Sequence, residues 1–279
     1  EGGYAAGVNP AENALDTKTS NDVIAPAEVT IRNTVASGFR NALIGNASAY
    51  NLKENVRVLL DGVTVHNSEI AFRLRGATGS RPRGAQVTIR NAVIYDVDKA
   101  VRYEDGIDVV RIENTTLGAG IGRHFQDVSE AGRIDGHNVL VLGPMLPDVL
   151  IAGRNRSVMA DCFRNAEMHD YRLGANCLAV DAGEMLNEVT TDRDGVRRPQ
   201  GQGWDIGAYE YCDGDCGEGP PSAGGSPAGG SSSMGGGLSP GGGSLGDGGA
   251  SAVGGTPVVG GTPAVGGSPA SGGLPAAGT

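Results

Sequence analysis

The pentapeptide VTIRN occurs twice, at residues 29–33 and 87–91. Position 58, midway between the two starts, opens VLLDG, so Val58, Leu60 and Gly62 stand where Val29, Ile31 and Asn33 stood. Extending the register gives five segments: VTIRN (29), VLLDG (58), VTIRN (87), VRIEN (110) and VLVLG (139), with steps of 29, 29, 23 and 29. The first column is valine throughout, and the third is Ile31, Leu60, Ile89, Ile112 and Val141. Apolar residues alternating with polar ones are the period-2 mark of short strands with one buried side.

The fifth column holds Asn33, Gly62, Asn91, Asn114 and Gly143. Asn and Gly are the residues that best tolerate positive φ, which predicts one left-handed bend per repeat. The fourth column reads Arg32, Asp61, Arg90, Glu113 and Leu142, four charges of alternating sign. Residues 29 apart need be complementary only if each turn of chain lies on the previous one. At a strand spacing of about 4.8 Å such pairs contribute ~0.2–1 kcal/mol each. Ala42, Ala71 and Ala100, followed by Leu43, Phe72 and Val101, keep the same register. The pattern defines a solenoid of short parallel coils. An antiparallel sandwich, the main rival, leaves the Asn/Gly column unexplained. Aromatics make up only 4% of the chain, in keeping with a core of stacked aliphatics.

With these columns, residues 29–143 resemble the right-handed parallel β-helix repeat proteins, an all-β class built from a single solenoid. That class hosts polysaccharide lyases, hydrolases, epimerases, depolymerases and non-catalytic adhesins, so the resemblance speaks for fold more than for function. A second resemblance lies at 170–211. DYRLGANCLAVDAG, TTDRDGVRRPQG and DIGAYEY are similar to the "choice-of-anchor Q" region of bacterial surface proteins, with CLAVDAG replacing the more usual SPAIDAG. It implies a cell-surface or extracellular location and a C-terminal cap, with Asp205–Tyr209 laying a final strand on the last coil. Asp194-Gly195 is a turn signal, preferred to a calcium loop built on Asp192 and Asp194. The expected organisation is an N-terminal segment (1–22), β-helix coils (23–160), the cap (161–216) and a flexible Gly/Ser/Pro linker (217–279). In the linker, GGTPVV, GGTPAV, GGSPAS and GGLPAA repeat every six residues.

Four cysteines, Cys162, Cys177, Cys212 and Cys216, allow three disulfide connectivities, of which Cys162–Cys177 and Cys212–Cys216 are the local one. Disulfides point to an oxidising compartment. The net charge of −10 disfavours a nucleic-acid partner. No apolar run approaches the ~18–20 residues of a membrane span. Residue 1 is Glu rather than Met, so the chain reads as mature or truncated. A monomer is expected.

The repeat places Arg73 over Arg102, with Arg75, Arg81 and Arg83 close by in RLRGATGSRPRG. Stacked like charges are unfavourable unless something anionic lies between them. These five arginines are therefore the candidate ligand-binding residues, and an acidic polysaccharide or surface glycan is the candidate partner. The plain alternative is ion pairing, with Arg75 over Glu104. A polysaccharide lyase would use Lys99 or Arg102 as base and Asp96 and Asp98 to hold calcium; the binding reading needs no cofactor and no catalysis. The hydrolase pattern of converging acids is not found, and His66, His124, His137 and His169 lack metal-site spacing.

Overall fold

The computed structural model describes residues 12–19, 24–41, 45–107, 109–128, 132–214 and 216. Ala42 and Leu43 of the repeat, residues 1–11 and the linker 217–279 lie outside the described residues.

The chain is an all-β parallel solenoid of about four turns with three faces. The short strand β1 (Asn13–Asp16) precedes the first coil. Each coil then runs through face 1, face 2 and face 3 in turn. The first coil carries β2 (Ala27–Arg32), β3 (Val35–Ser37) and β4 (Ser48–Leu52). The second carries β5 (Val56–Asp61), β6 (Thr64–His66) and β7 (Ser68–Arg75). The third carries β8 (Gln86–Arg90), β9 (Val93–Ile94) and β10 (Val97–Glu104). The fourth carries β11 (Val109–Glu113), β12 (Thr116–Leu117) and β13 (Ile121–Asp127). A last partial coil has β14 (Arg133–His137) and β15 (Leu140–Leu142), and β16 (Arg156–Val158) adds one more parallel strand to face 2 beyond β15. Every pairing between coils is parallel, and Val29↔Val58, Val58↔Val87 and Val87↔Val110 are direct partners. Inside, the stacked valines, leucines and isoleucines of the repeat form one core, with Tyr50 stacked on Phe72 at 5.4 Å.

The last repeat corrects the sequence alignment. Val110 pairs with Ile134, a step of 24 rather than 29 (134 − 110 = 24), so the fifth face-1 segment is Ile134–Asn138 and VLVLG lies on face 2. The column therefore ends on Asn138, with φ 55°, and not on Gly143. VLVLG misleads because it keeps the apolar alternation, whereas the true segment has Gly136 at a core position. A Cβ there would lie 2.5 Å from Leu150 Cδ2. Leu150, fully buried, fills that space and plugs the end of the core. Asn155 completes the plug: its Oδ1 accepts from Val139 N at 2.7 Å, and its Nδ2 donates to Gly136 O at 2.8 Å.

The bend column is as expected in its backbone. Asn33, Gly62, Asn91, Asn114 and Asn138 all have positive φ, between 42° and 69°. Each of the first four donates its N–H to the carbonyl one coil on, so the ladder continues round the corner between faces 1 and 2. At Gly62 a Cβ would stand 2.5 Å from Asn33 Oδ1, so a larger residue there would displace that amide. A second left-handed column, which the repeat analysis did not single out, turns the corner between faces 2 and 3: Gly38, Asn67, Asp96 and Gly120.

Residues 161–211 do not lay a strand on the last coil. They form a small antiparallel pair, β17 (Phe163–Asn165) with β18 (Asp170–Leu173), followed by a chain without strands that runs back along the solenoid. Phe163, Tyr171, Ile206 and Ala208 pack with Val93 and Leu140 of face 2 in a second apolar cluster. Gly118 is glycine because Tyr171 occupies the space of its Cβ. Cys162–Cys177 and Cys212–Cys216 are disulfides. The segment is thus a lateral cover over the strip of face 2 whose outward residues are apolar, and the end of the rod is closed by Leu150 and Asn155.

Candidate functional site

Face 3 presents outward polar residues because its strands alternate with Tyr50 and Leu52, Phe72 and Leu74, and Val101 and Tyr103 pointing into the core. Between these inward residues lies a row in register across five strands: Asp16, Asn51, Arg73, Arg102 and Gln126. Arg73 and Arg102 are direct neighbours, as the 29-residue step requires. The anion that relieves their repulsion is Glu104. It accepts from Arg73 Nε at 2.7 Å, from Arg102 Nη2 at 3.1 Å, and lies 3.4 Å from Arg75 Nε. Burial alone would raise the Glu104 pKa, but Arg73 and Arg102 outweigh it and hold the carboxyl below its ordinary value. Arg75 also contacts Asp105 at 2.6 Å. Arg73 and Arg102 keep 18% and 17% of their side chains exposed. Arg102 reaches Gln126 Oε1 at 3.5 Å, and Asn51 donates to Asp16 at 3.3 Å while its buried Oδ1 has no hydrogen-bond partner. The row is a strip of planar hydrogen-bonding groups, its two arginines fixed by one neighbouring carboxylate.

The remaining sequence candidates are dispersed. Lys99 lies 3.9 Å from Glu69. Asp96 and Asp98 both face Arg40, at 3.2 and 2.7 Å, and Asp96 also gives Arg40 its carbonyl oxygen. Asp96 has φ 47° and is a corner residue, which the sequence could have signalled by its place 29 after Asn67. Among the described residues no three His, Cys, Asp or Glu side chains are grouped as a metal would need. Asp192 Oδ1 accepts from the N–H of Asp194 and of Val196, both at 2.8 Å, as the turn reading requires. Arg81 lies 3.7 Å from Glu54. Arg83 is on another side, lining a cleft with Arg57 and Arg111, two residues that sequence reasoning passed over. Their only signal was adjacency to Val58 and Val110 of the repeat, which fixes them as outward-facing on face 1.

The alternating charges hold in part. Arg32 and Asp61 approach to 3.8 Å and Arg90 and Glu113 to 2.8 Å. Asp61 takes the amide of Asn91 at 3.0 Å in place of Arg90. Arg90 turns instead to Glu188 of the lateral cover, at 3.1 Å. The asparagine corner does the same. Asn91 Nδ2 donates to Thr191 O, Asn114 Nδ2 to Asp205 O, and Asn138 Nδ2 to Glu184 O. His137 continues the charged column past Glu113. Its Nδ1 lies 2.6 Å from Glu184 and its Nε2 3.2 Å from Asp135. Burial would lower its pKa, but the two carboxylates prevail and raise it. Within the cover, Arg198 and Glu210 form a fully buried pair at 2.6 Å. Burial, then the charge of Glu210, pushes Asp205 up to about 7.

Compared with known proteins, the chain matches no family model, no curated protein and no solved structure. The protein is therefore placed by its coordinates, as a parallel β-helix solenoid. No helix among the described residues is long and apolar enough to cross a membrane.

Proposed function

We propose that this protein is an exported β-solenoid scaffold that binds acidic polysaccharide along face 3 and has no catalytic role there. The row Arg73–Arg102–Gln126 carries the reading. It runs parallel to the solenoid axis at about 4.8 Å per step, the direction a linear glycan would take. One carboxylate holds its two guanidiniums in place before a ligand arrives, so little side-chain entropy is lost on binding. The two disulfides favour an oxidising compartment. The resemblance of residues 170–211 to the anchor-Q region favours display on a bacterial surface. Arg102 donates to Glu104 and Gln126, and Asp96 and Asp98 hold Arg40, which argues against their service as base and calcium ligands.

Affinity gels containing polygalacturonate, alginate or chondroitin sulfate test this. Charge-assisted hydrogen bonds of ~1.5–3 kcal/mol make Arg73→Ala/Arg102→Ala lose at least about tenfold in retention. Unchanged retention removes the reading. Absorbance from unsaturated uronate products, abolished by Arg102→Ala, would establish a lyase instead.

A further inference from the structure

A cleft of about 670 Å³ opens on the other side of the 76–85 loop, beside face 1. This size is usual for small-ligand sites, ~300–1,000 Å³. Three guanidiniums line it: Arg57 from β5, Arg83 from the loop and Arg111 from β11. No Asp or Glu is among the described residues lining it, although the chain carries a net charge of −10. Ile107, Val109 and Pro82 supply apolar wall. Arg57 pairs with Gln86, and Thr88 with Arg111. The two arginines are thus two strand steps apart across the sheet and two residues apart along it, about 12 Å between backbones.

The roof is preformed. Thr78 and Arg81 bond each other's backbones at 2.6 and 3.1 Å, and Ala85 N donates to Arg75 O at 3.0 Å. Gly76 and Gly84 fit only as glycine, because a Cβ would meet Asp105 O at 2.2 Å and the Gly76 backbone at 2.6 Å. All three arginines have existing partners, and those of Arg57 and Arg111 hold them weakly. Arg57 pairs with Glu28 at 2.7 Å, but both side chains are more than half exposed, and such pairs are worth little. Arg111 lies 3.8 Å from Glu113 and 3.5 Å from Asp135. On face 3 the holding carboxylate is more buried: Glu104 is 9% exposed, against 63% for Glu28.

We propose that this cleft is a second, separate anion-binding site, taking a short segment of a sugar chain that carries carboxylate or sulfate groups. Arg57 and Arg111 hold successive anionic groups, Arg83 closes over them, and the apolar wall takes the sugar-ring faces. The site stands whether or not face 3 binds glycan.

Calorimetry on the full chain decides, using a chondroitin sulfate tetrasaccharide and tetragalacturonate as probes, with a neutral tetrasaccharide and sodium sulfate as controls. In an Arg73→Ala/Arg102→Ala background, binding of at least one charged probe is expected to persist. Adding Arg57→Ala/Arg111→Ala should weaken it at least tenfold, and Arg83→Ala alone should weaken it by less. Binding unaffected by Arg57→Ala/Arg111→Ala, or no binding of either probe in the background variant, overturns the site. Equal affinity for sodium sulfate or for the neutral sugar overturns the sugar-acid assignment. Loss of binding with Arg73→Ala/Arg102→Ala alone would leave face 3 as the sole site.

Discussion

The two left-handed corners of each coil meet the same backbone demand with different residues. Between faces 1 and 2 the column is Asn33, Gly62, Asn91, Asn114 and Asn138; between faces 2 and 3 it is Gly38, Asn67, Asp96 and Gly120. From the second coil onward the first column is buried beneath residues 184–208, and its amides hold carbonyls of that segment. At the second corner Asn67, Asp96 and Gly120 are exposed. Positive φ selects Asn, Asp or Gly at both; at the buried corner of the third to fifth coils the residue is asparagine, whose amide donates to the carbonyls of the cover in place of lost water. Asn91, Asn114 and Asn138 thus lie on the side of the solenoid that is covered.

The largest effect expected in the solenoid lies at its plugged end. Leu150→Ala should cost ~2–5 kcal/mol in urea denaturation, because it empties the space beside Gly136. A cost near zero would mean that another group closes the core. Next come the corners. Asn114→Ala loses its hydrogen bonds to Asp205 and Gly207 and strains the left-handed backbone, for ~2–4 kcal/mol together. Asn114→Gly should recover only the backbone part. At the exposed corner, Asn67→Ala should cost ~1–2 kcal/mol and Asn67→Gly almost nothing. Equal costs for the two glycine variants would break the comparison.

Smaller effects follow from titration. Asp205 titrates near 3.8 unfolded and about 7 folded. A raised carboxylate favours folding most when protonated, so its contribution is lost as pH climbs from about 4 to about 7. His137, also raised, loses its contribution as pH rises past its ordinary value. The Tm of the wild type should therefore fall relative to Asp205→Asn across that interval; parallel Tm curves would refute the burial of Asp205. The smallest effect is at the exposed corner. Arg40→Ala should shift stability by less than about 1 kcal/mol, and calcium should not raise the Tm of either form. A calcium-dependent rise would return Asp96 and Asp98 to the role of metal ligands.

Much of the fold was legible in the sequence because stacking ties residues one coil apart. The valine column, the alternating charges and the first four bends all stand in register. The last repeat was misassigned because the step stays short, 24 residues after 23, while an apolar run of the right alternation sits 29 residues on. The candidate site was less legible. The sequence put Arg73 over Arg102 but could not show Glu104 bending back beneath both, since that contact joins residue 104 to positions 31 and 2 residues away at once.

By itself, the sequence determined the stacking, the inward face of each strand and the corners that need positive φ. Each follows from local periodicity and from the steric rules of one residue type. Only the tertiary structure decided which corner is covered, that residues 161–211 lie along the solenoid instead of across its end, and that the arginines of one loop divide between face 3, where Glu104 and Asp105 hold them, and the cleft beside face 1. Those outcomes depend on contacts between segments 100 or more residues apart, such as Asn91 to Thr191 and Arg193 to Thr64, whose side-chain directions no repeat encodes.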